Sequence, residues 1–197
     1  RASGSRGAYV TGPIVPPARL FNNTVYWKGA WVLHMLRRTL GDEEFFGSLR
    51  AHAANPALRY GNATTADLID TIRRTTGVDT QTFFEQWLYT EGRPRYEVGW
   101  SHVPVEGGER VDVEIVQTQT NGIVYSMPLD LRLQLRDGSI VDRTVWNDQS
   151  RQEYAFVVPG EPTVFALDPD DWVLDEQTVI ERTLPTSTPG LSLVSQL

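Results

Sequence analysis

Apolar residues follow two different rhythms along this chain, and the change falls near Gly92-Arg93-Pro94. Upstream the spacing is mostly helical; downstream it is mostly two. Residues 1–20 are rich in Gly, Pro and Ala and read as an irregular lead-in. From about Val25 to Leu40 the spacing predicts an amphipathic helix with Ala30, Leu33, Leu36 and Leu40 on its apolar stripe and Gly41 as its C-cap. Asp42 is expected to N-cap a second helix, with Phe45, Phe46 and Leu49 facing inward and Asn55-Pro56 ending it. Thr64-Thr65-Ala66-Asp67 resembles a capping box opening a third helix through Leu68, Ile69 and Ile72, closed by Gly77. Asp79 is expected to cap a fourth, striped by Phe83, Phe84, Trp87 and Leu88.

Beyond Pro94 the chain alternates. Val111, Val113 and Ile115 share one face, with Asp112 and Glu114 on the other. Leu129, Leu131, Leu133 and Leu135 alternate with Asp130, Arg132 and Gln134, and Asp137-Gly138 follows as a hairpin signal. Further strands are expected near 96–103, 140–146, 153–158 and 163–167, with Gly107-Gly108 as a turn. The predicted class is α+β: a helical segment of about four helices over residues 1–92, then a small antiparallel β-sandwich over 93–182. Residues 183–197 read as a flexible tail or linker.

Composition adds exclusions. With 40% hydrophobic and 22% charged residues the chain can bury a core and is not of the disordered class. A net charge of -7 argues against a nucleic-acid partner, and the local pair Arg93 and Arg95 reads as solvated surface. No apolar run approaches the roughly 18 residues of a membrane span. The absence of cysteine excludes disulfides and thiolate metal sites.

Hydrolytic chemistry needs a nucleophile or a metal-activated water. His34, His52 and His102 are the only histidines, and none begins an H-E-x-x-H arrangement, so all three read as structural. No Ser stands in a G-x-S-x-G elbow and no Gly-rich loop has phosphate-binding spacing. Asn22-Asn23-Thr24 and Asn62-Ala63-Thr64 have the form of glycosylation sequons.

The run Val25-Tyr26-Trp27-Lys28-Gly29-Ala30 resembles a helix start of the aminopeptidase N family, the gluzincin aminopeptidases, which has a Tyr-x-Lys-Gly-Ala core. The likeness continues through Leu40-Gly41-Asp42-Glu43-Glu44-Phe45, Tyr60 to Leu68, Gly77-Val78-Asp79 with Phe83 to Leu88, and the junction Gly92-Arg93-Pro94. Leu167-Asp168-Pro169-Asp170 and Trp172 fit the β-sandwich that follows that family's catalytic domain, less distinctively. The resemblance implies a zinc-dependent enzyme that removes N-terminal residues from a peptide substrate. It implies that Tyr26 is catalytic, its hydroxyl donating to the oxyanion of the tetrahedral intermediate. A phenol suits that role because it stays a neutral donor at pH 7. Lys28 reads as structural or local electrostatics, and Gly29 as close packing.

In that family the zinc ligands, the general base and the amine-binding carboxylates lie upstream of the tyrosine. The resemblance therefore implies a C-terminal portion that binds no metal or cofactor itself, is inactive alone, and has a missing N-terminal catalytic segment as its partner. Exposed apolar surface is then expected around Trp31, Phe46 and Trp87, with self-association as its consequence. The alternative reading is a non-catalytic binding or scaffold module that keeps the family's fold.

Overall fold

The computed structural model describes residues 24–181, and the expected lead-in, the first sequon's asparagine and the tail lie outside the described residues. The chain divides into two compact units, Arg1–Gly92 and Arg93–Leu197.

The first unit is helical. A π-helical turn, Thr24–Lys28, runs into α1 (Gly29–Leu40). There follow α2 (Asp42–Ala54), α3 (Thr65–Thr76) and the short α4 (Gln81–Phe84), which continues as a second π-helical turn, Glu85–Tyr89. Val32, Met35 and Leu36 are the buried residues of α1. This corrects the expected stripe: Ala30 and Leu33 are exposed, and the buried face is rotated toward Val32 and Met35. Both faces of this helix are apolar, so spacing alone could not choose between them.

Gly41 closes α1 at φ 84°, its N–H bonded to the Arg37 carbonyl. It also takes the N-cap position of α2, so Asp42 is one residue inside the helix rather than its cap. The Asp42 carboxylate instead accepts two hydrogen bonds of 2.7 Å from the Arg37 guanidinium, which hold it below the usual carboxylate range. Phe45 is buried but Phe46 is exposed, with the Arg37 guanidinium 5.2 Å above its ring. The seam between α2 and α3 is partly polar: Ser48 and Thr75 hydroxyls lie 2.8 Å apart, and His52 Nδ1 is 3.3 Å from the Thr71 hydroxyl.

The capping box of α3 is complete. The Asp67 N–H bonds the Thr64 hydroxyl oxygen, and the Thr64 N–H and hydroxyl both bond the Asp67 carboxylate. Thr64→Ala is expected to cost about 1 kcal/mol of stability, read from the urea midpoint of the chain. The same bonds lower the Asp67 carboxyl pKa. A depressed carboxylate stabilises the fold above its unfolded pKa and loses that contribution as pH falls through the folded one. The acid limb of stability should therefore shrink in Thr64→Ala, with no change near neutrality beyond the lost cap. For α4 the N-cap is Thr80, while Asp79 receives the Gln81 N–H at 2.9 Å, so the expected cap is displaced by one residue.

The second unit packs two sheets. The strands are β1 (Arg95–Val105), β2 (Gly108–Gln117), β3 (Met127–Leu135), β4 (Ile140–Asn147), β5 (Arg151–Val158), β6 (Pro162–Leu167) and β7 (Glu176–Glu181). One sheet has the order β5-β2-β1-β7 and the other β4-β3-β6. Alternation follows the sequence pattern: Leu129, Leu131, Leu133 and Leu135 are all buried, as are Val111, Val113 and Ile115. Trp100 of one sheet stacks on Phe165 of the other at 5.6 Å between ring centres, so the core lies between the two inner faces.

The expectation of a purely antiparallel sandwich is corrected by β7, which pairs parallel with β1. Arg93 and Arg95 are likewise not merely solvated: both ion-pair with Glu176, the first residue of β7. The Asp137-Gly138 hairpin forms as expected, with the Leu135 N–H bonded to the Ser139 carbonyl at 2.8 Å. No described helix is long and apolar enough to cross a membrane.

Candidate functional site

Tyr26 sits in the middle of the first π-helical turn and is 62% exposed, with Trp27 beside it at 58%. The two rings present a polar-tipped aromatic surface at the start of α1. Lengthened π-helical turns carry an extra residue per hydrogen-bonded ring and are frequent at functional sites. The turn passes into α1 without a side-chain cap, because Lys28, its last residue, is already in the right-handed helical conformation.

Lys28 behaves differently from its neighbours. It is 2% exposed, and its Nζ donates to the Thr90 carbonyl oxygen at 2.6 Å. Thr90 is where the backbone leaves the second π-helical turn, at ψ 142°. Its own hydroxyl donates to the Glu85 carbonyl at 2.9 Å. Burial lowers the Lys28 ammonium pKa, and the nearby Glu91 carboxylate opposes that effect. Lys28 thus ties the turn bearing Tyr26 to the C-terminal end of residues 81–89. Sequence reasoning gave it only a local role, since its acceptor is a backbone atom 62 residues away with no signature of its own.

Gly29 does not serve close packing: among the described residues nothing lies within 4 Å of the position its Cβ would take. Of the aromatic positions expected to be exposed, Phe46 is, Trp31 is half-buried, and Trp87 is buried at 1% exposure. His34 meets the Trp31 ring edge-on at 5.5 Å. His102 stacks on Trp100, and its Nδ1 is 3.0 Å from a Glu109 carboxylate oxygen. No group of three or more His, Asp or Glu that could hold a metal ion occurs among the described residues. Among the described residues the donors do not form a zinc ligand set.

Residues 11–87 match the profile described as the Peptidase family M1 domain. Aminopeptidase N of Lactococcus lactis subsp. lactis is 39% identical over 70 residues, which is 36% of this chain and 8% of that protein. A probable aminopeptidase 2 of Sulfurisphaera tokodaii is 29% identical over 129 residues, 64% of this chain and 16% of that protein. Among solved structures, Legionella pneumophila aminopeptidase A in complex with aspartic acid superimposes with a TM-score of 0.72 at 19% identity, over 88% of this chain and 20% of that one. The chain thus spans a small part of the length of the proteins it matches.

Proposed function

We propose, from the match of residues 11–87 to the Peptidase family M1 domain, that this chain contributes the oxyanion-stabilising tyrosine of an aminopeptidase that removes N-terminal residues from peptides. The observation that carries the proposal is the placement of Tyr26. It lies in the Tyr-x-Lys-Gly-Ala run, its ring exposed at the start of α1 while Lys28, two residues on, is anchored in the interior. In this reading the unit ending at Gly92 is the C-terminal portion of the catalytic domain, and the strand unit is the sandwich that follows it.

The chemistry assigned to these residues is narrow. As the scissile carbonyl becomes tetrahedral, charge collects on its oxygen. A neutral hydroxyl already aimed at that oxygen strengthens its hydrogen bond in the transition state without reorganising water. Zinc belongs to the family's chemistry, but the described residues offer no set of ligands for it.

The test is an assay of aminoacyl arylamide hydrolysis with added zinc, run on the 197-residue chain and on the complete product of its gene. The proposal expects turnover by the complete product and none by the chain alone. Turnover by the isolated chain that Tyr26→Phe abolishes would contradict a shared site. A complete product that folds, binds zinc and cleaves no aminoacyl bond would favour the non-catalytic module.

A further inference from the structure

The first π-helical turn places Lys28 two residues after Tyr26, yet sends its side chain inward. Burying an ammonium group is expensive, costing several kcal/mol before compensation. The hydrogen bond to the Thr90 carbonyl and the nearby Glu91 carboxylate offset that cost. For packing alone, Met would fill the same space at lower cost. What the ammonium supplies is a fixed distance. The last carbonyls of a helix lack intrahelical partners, and the macrodipole favours a cation there. Lys28 Nζ meets the carbonyl of the residue just past that helix end, Thr90 O, at 2.6 Å. The receiving end is itself held, because the Thr90 hydroxyl closes back on the Glu85 carbonyl.

Resting on the reading of Tyr26 given above, we propose that Lys28 is a positioning residue for catalysis: its bond to the Thr90 carbonyl sets the location of the turn that aims the Tyr26 hydroxyl. Lys28 touches no substrate. It acts by joining the turn to the end of residues 81–89, so that the donor cannot drift as charge develops. Misplacing a catalytic group by about 1 Å can cost about 100-fold in rate.

The test is a double-mutant cycle on the complete gene product, with kcat and KM measured for Lys28→Met, Tyr26→Phe and the double variant. Lys28→Met should lower kcat by about 10- to 100-fold with KM within about twofold. In the Tyr26→Phe background the same substitution should change kcat by less than about twofold, because there is no longer a hydroxyl to aim. A role confined to folding would lower activity equally in both backgrounds, and that result overturns the proposal while leaving Tyr26 in place. Full activity in Tyr26→Phe overturns the reading of Tyr26 and the proposal with it. If Lys28→Met does not fold, the cycle is run with Lys28→Arg. That variant keeps the charge and donor but moves the turn, and a smaller kcat loss, again absent in the Tyr26→Phe background, is the expected result.

Discussion

Tyr26→Phe is expected to lower kcat of the complete gene product by about 100- to 1,000-fold and leave KM nearly unchanged. The size follows from the worth of one preorganised oxyanion donor, about 3–4 kcal/mol. The split between kcat and KM follows from when the bond matters. In the proposed role the phenol contributes little to ground-state binding, where the carbonyl oxygen carries little charge, and donates to an oxyanion in the transition state. Phe keeps the ring and removes only the oxygen. Tyr26 is 62% exposed in this chain, so the substitution should leave its unfolding midpoint unchanged. Comparing kinetic and unfolding data separates a lost donor from a damaged fold. A loss of activity matched by a fall in stability would contradict the assignment.

The largest expected effect on stability lies in the strand unit, at Gly108. This residue opens β2 at φ 146°, where L side chains are strained. A Cβ there would stand 2.0 Å from the Val158 carbonyl oxygen, a backbone atom of the paired strand β5. β2 cannot yield cheaply, since it is hydrogen-bonded on both sides by β1 and β5. Gly108→Ala should therefore cost about 3 kcal/mol or more, combining backbone strain with overpacking. Gly107→Ala is the control. Its φ is also positive, at 88°, but among the described residues nothing lies within 4 Å, so about 1–2 kcal/mol of conformational cost is expected alone. Urea unfolding followed by circular dichroism measures both. Equal midpoints for the two variants would show that the close approach to Val158 does not govern the site.

Much of the fold was legible where its causes are local. The Thr64–Asp67 box is visible because both partners lie within one turn. The leucines of β3 are visible because a half-buried strand must alternate. What escaped depended on distant partners. β7 has no clean alternation and is mostly exposed, and it exists as a strand because β1 offers a free edge. The buried side of α1 is chosen by its neighbours, not by its own pattern. Lys28 belongs to this second group: the motif names the residue, but only folding brings it to Thr90. Tyr26 itself was found through a likeness to known sequences. Composition alone offers no reason to single it out among seven tyrosines.

The central claim is that Tyr26 faces a tetrahedral oxyanion in the assembled enzyme. The most direct measurement is a structure of the complete gene product with zinc and a tetrahedral transition-state analogue, such as a phosphonate peptide. The account predicts the Tyr26 hydroxyl oxygen about 2.7–3.1 Å from an analogue oxygen, in the position the oxyanion would take. A Tyr26 ring turned away from the bound analogue, with another donor in its place, would contradict it.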